Sequence, residues 1–244
     1  MSAPTYPSDL PPEEHQMHVP DGFLDAPTSV ATAAVAVGGV ALALRRSRGD
    51  LDDRVAPLAG LVATFVFAAQ MINFPVAGGT SGHLLGGALA AVLVGPWTAT
   101  LCVTVVLLVQ ALVFADGGLT ALGTNVTLMA IVGVWVGWVL FALARRVLPS
   151  RPASVPAAAA VGAFVSVPAV AAVFAGLFVV GGTAPVDAGA LLTAMLSWHL
   201  LIGIGETVIT FLVVSAVVSV RPDLVHGARG LSPAPAAAPQ EVAP

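Results

Sequence analysis

Two short stretches of this chain carry side chains that could do chemistry: Met17-His18-Val19-Pro20-Asp21-Gly22 near the start and Gly78-Gly79-Thr80-Ser81-Gly82-His83 further on. Each sets an imidazole beside backbone that glycine leaves free to bend, and neutral imidazole is the commonest side-chain ligand for transition metals. Placed on one side of a membrane, the pair suggests a metal-capture site. Asp21, Asn73, Ser81 and Asn125 are candidates for hydrogen bonds that would fix the orientation of the two rings. His15, three residues before His18, sits among prolines and acids and reads as a solvent residue. His199 and Glu206 are two helical turns apart in an apolar run, so they share a face. An ionisable group at the middle of a membrane helix costs about 2.5–3.5 kcal/mol, so Glu206 should point into the bundle or at another subunit, in a structural hydrogen-bonding role with His199 or, as the alternative, in contact with the cargo. Asp116 is expected to end a helix and shape the Gly117-Gly118 turn, with metal steering as the alternative.

The rest of the sequence says what must position these groups. Of 244 residues, 57% are hydrophobic and 9% charged, too few polar side chains to cover a soluble globule, so the chain is an integral membrane protein. Its one cysteine, Cys102, lies in an apolar run and excludes an intrachain disulfide or a cysteine-built zinc site. A net charge of −4 with no basic cluster argues against nucleic acid. All nine basic residues are arginine. A Walker A loop needs a lysine, so any ATP that drives this protein is hydrolysed by another subunit.

Apolar runs at about 28–44, 55–72, 83–95, 97–115, 119–144, 156–181 and 189–220 predict an all-α membrane fold of about seven transmembrane helices. The stretch from His83 to Ala115 would be about 50 Å long as one helix, against a hydrocarbon core of about 30 Å, so Gly95-Pro96 must break it. With seven crossings and the N-terminus outside, Arg45, Arg46, Arg48, Arg54, Arg145, Arg146, Arg151, Arg221 and Arg229 all fall on the cytoplasmic side, as the positive-inside rule requires. The C-terminus is then cytoplasmic, and both histidine stretches are outside. Residues 1–16 and the Pro/Ala-rich segment 223–244 are expected to be disordered ends flanking a membrane domain at 17–222.

Met-His-x-Pro-Asp-Gly at 17–22, Gly-Gly-Thr-Ser-Gly-His at 78–83, Gly-Pro-Trp at 95–97, Asp-Gly-Gly-Leu-Thr-Ala-Leu-Gly at 116–123 and His199-Leu-Leu-Ile-Gly-Ile-Gly-Glu206 together resemble the CbiM/NikM family. These are the substrate-binding membrane components of energy-coupling-factor (ECF) transporters for cobalt and nickel. The resemblance implies that the N-terminus folds back into the outer mouth and that one divalent ion is bound by Met17, His18 and His83. In the family the terminal amine, the next backbone nitrogen and the following imidazole chelate the ion, and a second imidazole closes a square plane. Four in-plane nitrogens suit Ni(II) or Cu(II) better than Zn(II), Mg(II) or Ca(II), which makes nickel or cobalt the expected cargo, with no cofactor. Both imidazoles bind only when neutral, so affinity should fall as pH drops through about 6.5. The family's methionine is residue one, whereas sixteen residues precede it here. The expectation is that translation starts at Met17.

The implied role is the substrate-capture subunit of an ECF-type ABC importer in a prokaryotic plasma membrane. Its implied partners are a transmembrane coupling subunit, paired ATPases and a small, separate auxiliary membrane subunit. The alternative is a self-sufficient metal channel or secondary carrier, which needs polar groups along a continuous path that these apolar runs lack. An intramembrane metalloenzyme is disfavoured, because no His-Glu-x-x-His spacing holds a metal beside a base.

Overall fold

The computed structural model describes residues 18–49, 55–75 and 81–231, apart from the side chains of 73–75 and 81. Met17, Arg54 and the outer glycines of the second motif lie outside the described residues, as do the side chains of Asn73 and Ser81. Helix α1 (Ala26–Arg46) starts at Asp25, whose carboxylate accepts from the Thr28 N–H at 2.9 Å and so satisfies one of the donors exposed at a helix N-terminus. After α2 (Val55–Gln70), strands β1 (Asn73–Pro75) and β2 (Ser81–His83) pair antiparallel, with Asn73 opposite His83. The chain then enters α3 (Gly87–Val94).

Helix α3 is only eight residues long, and all eight are buried. At about 1.5 Å per residue it is far shorter than a bilayer, and with no polar surface of its own it is stable only inside a jacket of other helices. The expected break falls at Gly95 (φ +87°), after which Pro96 opens α4 (Pro96–Val113) at a position where its missing N–H costs nothing. Helix α5 (Leu122–Asn125) runs through a π-helical stretch, Val126–Gly133, into α6 (Val134–Val147); α7 (Val155–Gly181) and α8 (Ala188–Val220) follow and pack on each other. Among the described residues five segments are long and apolar enough to cross a membrane: Ala26–Gly49, Pro96–Val113, Leu122–Val147, Pro152–Gly181 and Ala188–Val220, with Val55–Gln70 shorter. The protein is a multi-pass helical membrane protein.

Contacts between distant segments define the two ends of the bundle. At one end the start of α1 lies against the end of α7: Asp25 N–H donates to Gly181 O at 2.7 Å, and Leu24 bridges Gly182. At the other, Gly95 packs against His226 beyond α8. Arg45 and Arg46 in the last turn of α1, Arg145 and Arg146 in the last turn of α6, Arg151 before α7 and Arg221 after α8 all belong to this second end. The packed fold also runs past the boundary expected at 222. Pro222–Leu224 and His226–Ala228 form 3-10 turns in which Val225 and Ala228 are buried, and the second turn lies against α3, with Gly227 facing Phe141 of α6. Val225 and Leu231 are the apolar positions that hold this part of the tail against the bundle, and counting prolines and alanines hides them.

Candidate metal centre

Residues 18–25 do not leave the bundle but cross its first end and dip into it. Phe23 is the anchor, its ring 5.7 Å from that of Phe174 and 5.2 Å from that of Phe178 on α7. Asn125, at the end of α5, clamps the Val19 peptide at two points: its side-chain oxygen accepts from Val19 N–H at 3.1 Å and its amide donates to Val19 O at 3.3 Å. Asp21 Oδ1 accepts from the Thr120 N–H at 2.7 Å and from its hydroxyl at 2.5 Å, and these bonds hold the Asp21 carboxyl below its usual range. The glycines of the Asp116-Gly117-Gly118 motif allow the segment to lie flat. Gly117 has φ +85°, and a Cβ there would stand 2.8 Å from His18 Cβ. At Gly118 a Cβ would fall 2.3 Å from Asp21 N. Both approaches require glycine.

This arrangement buries His18 and brings its ring to that of His83, with centroids 4.7 Å apart and planes at 53°. The two histidines of the sequence motifs therefore meet in space. His83 Nδ1 lies 2.9 Å from Leu84 O; because a carbonyl only accepts, Nδ1 carries the proton and Nε2 keeps its lone pair. Burial, reinforced by the neighbouring His18, pulls the His83 imidazole well below its ordinary value, so the ring stays neutral and able to ligate in mildly acidic conditions. Beside the pair is a cavity of about 60 Å³, on the scale of one or two water molecules. His18, His83, Asn125, Met129, Met195 and His199 contribute to its wall. Met129 belongs to the π-helical stretch, whose altered winding sets which side chains turn inward there.

Asp116 does more than shape a turn, because its Oδ2 lies 3.2 Å from His18 Nδ1. Sequence alone gave no sign of this contact, since the bend that folds the loop onto residue 18 depends on packing between distant segments. Asn125 and Asp21 act on the backbone of the histidine segment and on Thr120, and neither bonds to a ring. His199 lines the cavity with Nδ1 held 2.7 Å from Met195 O, and Glu206 is buried on the same face of α8. Among the described residues no group of three His, Cys, Asp or Glu side chains stands ready to hold a metal. Two imidazoles need further donors to hold an ion, and backbone nitrogen can supply them.

Comparison with known proteins sets this helical membrane fold among the metal transporters. The family model described as "Cobalt uptake substrate-specific transmembrane region" matches residues 18–224, and the chain belongs to that family, CbiM. It is 41% identical over 212 residues to a protein of Archaeoglobus fulgidus that carries the name fused nickel transport protein NikMN, covering 86% of this chain and 68% of that one. To the cobalt transport protein CbiM of Sorangium cellulosum it is 44% identical over 133 residues, 53% of this chain and 59% of that protein. A solved structure described as a truncated transition metal transporter superposes with a TM-score of 0.77 at 31% identity, covering 83% of this chain and 99% of that one.

Proposed function

We propose that this chain is the substrate-capture subunit of an ECF-type importer, binding one Ni(II) or Co(II) ion at the outer face for ATP-driven uptake by partner subunits. The ligands in this reading are His18 and His83 through their imidazoles, completed by the His18 backbone nitrogen and the nitrogen of Met17. An amine at Met17 requires the mature chain to begin there, which N-terminal peptide mass spectrometry tests. The observation that carries the reading is the meeting of His18 and His83 at 4.7 Å beneath a folded-in chain segment. Consecutive nitrogens of one segment chelate in a plane, so shape would select against the tetrahedral preference of Zn(II).

The histidine end is read as external, with seven crossings and the arginine end in the cytoplasm, which agrees with the positive-inside rule. A coupling subunit, ATPases and an auxiliary subunit are proposed as partners. Support comes from relatives whose names describe fusions, NikMN and LarMN, and whose length this chain covers by 68% and 66%. Genes for cobalamin synthesis beside this one would favour cobalt, and urease or hydrogenase genes nickel. Equilibrium dialysis of the purified chain against Ni(II) and Co(II), with His18→Ala and His83→Ala as controls, tests the proposal.

A further inference from the structure

The amide joining Leu84 to Leu85 has both of its polar groups engaged inside the bundle. Its carbonyl accepts from His83 Nδ1 at 2.9 Å, and its N–H donates to Glu206 Oε2 at 2.7 Å. The next N–H, that of Gly86, donates to Glu206 Oε1 at 2.9 Å, and Leu85 O accepts from the Gln70 side-chain amide at 2.8 Å. Two successive N–H groups aimed at one carboxylate form an anion cradle, here coinciding with the N-terminus of α3. Gly86, the N-cap of α3, has φ +70° and no side chain to cap the helix itself, so the carboxylate from α8 supplies the acceptor. Glu206 is 2% exposed and Gln70 fully buried, so water does not compete for either.

We propose that Glu206 is a positioning residue for His83, acting through the Leu84–Leu85 amide to keep Nδ1 protonated and Nε2 aimed at the ion. The carboxylate polarises the amide, which strengthens its carbonyl as an acceptor, which in turn holds the ring and raises the basicity of Nε2. Glutamate thereby does through one peptide plane what a carboxylate in direct contact does for many metal-bound imidazoles. The inference rests on the reading of His83 as a ligand. It also makes the ligand loop mechanically continuous with the middle of α8.

The test is a double-mutant cycle on the full purified chain, titrated with Ni(II) by calorimetry. Glu206→Gln replaces one acceptor oxygen with a donor that faces an N–H. It is expected to weaken nickel binding by about 10–100-fold, the range found for outer partners of metal ligands, while changing affinity by no more than about twofold in a His83→Ala background. Nitrogen-15 NMR of the histidine rings in the metal-free protein supplies the readout that a merely structural role would not move: His83 loses its Nδ1–H tautomer in Glu206→Gln while His199 keeps its own. An equal loss with and without His83, or an unchanged affinity, overturns the proposal. If His83→Ala alone leaves nickel binding intact, the ligand reading itself has failed and this inference with it. Should Glu206→Gln not fold, Gln70→Met loosens the same loop from α2 and must again weaken binding only when His83 is present; any other result counts against the proposal.

Discussion

His18 and His83 lie on either side of the first helical hairpin, one before α1 and the other after α2, yet their rings are 4.7 Å apart. Neither is placed by its own helix. His18 is held by a segment clamped to Asn125 and anchored by Phe23, and His83 by a loop tied to α8 and α2. A site so built depends on supports remote in sequence, and each support can be tested separately.

Gly117 lies directly against His18. Gly117→Ala introduces a Cβ 2.8 Å from His18 Cβ at a backbone angle that L-residues adopt at a cost of about 1–2 kcal/mol. Thermal unfolding in detergent should shift down by several degrees, and nickel affinity should fall with it. An alanine variant with unchanged affinity would show that the segment does not lie against Gly117 when metal is bound.

Asn125→Ala removes both hydrogen bonds to the Val19 peptide, leaving its buried N–H unpaired at a cost of about 1–3 kcal/mol. The account expects weaker nickel binding and faster amide exchange at Val19, with the α7–α8 pair unaffected. Hydrogen exchange read by mass spectrometry over peptides 18–25 and 188–220 distinguishes local release from global loosening.

Proton competition should be lopsided. His83 has its imidazole value lowered by burial, so it is already neutral where an ordinary histidine begins to take up protons as pH falls through about 6.5. Lowering the pH from 7.5 to 5.5 should therefore leave the contribution of His83 to nickel binding unchanged. His83→Ala should lower affinity at every pH while leaving the slope of log Kd against pH unchanged over that range. A slope that drops by one proton in His83→Ala would show that His83 titrates there.

The orientation can be read by labelling. In a Cys102→Ser background, Ser150→Cys and Pro185→Cys put single thiols at exposed positions at opposite ends of the bundle. An impermeant maleimide added to intact cells should label position 185 and spare 150 until the membrane is opened. The reverse pattern would invert the proposed topology.

Much of this was legible in the residues. The Gly95-Pro96 break, the burial of Glu206 and the gathering of arginines at one end follow from chain stiffness, the cost of burying charge and the bias of loops, all of which act locally. The approach of Asp116 to His18 was not legible, because it arises when two loops separated by four helices are pressed together. The packed turns at 222–228 were missed for a related reason: composition registers Pro and Ala but not the one or two apolar residues that find a groove. On α1 the small residues Ala31, Ala34, Gly38 and Ala41 are exposed, and Thr28, Thr32 and Ala36 face the bundle. Thr32 is held inward by its hydroxyl, 2.7 Å from that of Thr124, a bond that residue size alone does not foretell.

The central claim is that one divalent ion is held between the imidazoles that the two loops bring together. Equilibrium dialysis of the purified chain with Ni(II), followed by elemental analysis, measures it most directly. One ion per chain is expected, with affinity lowered at least about 100-fold in both His18→Ala and His83→Ala, since losing a ligand should exceed the 10–100-fold typical of losing an outer partner. Undiminished loading in both variants would contradict the account.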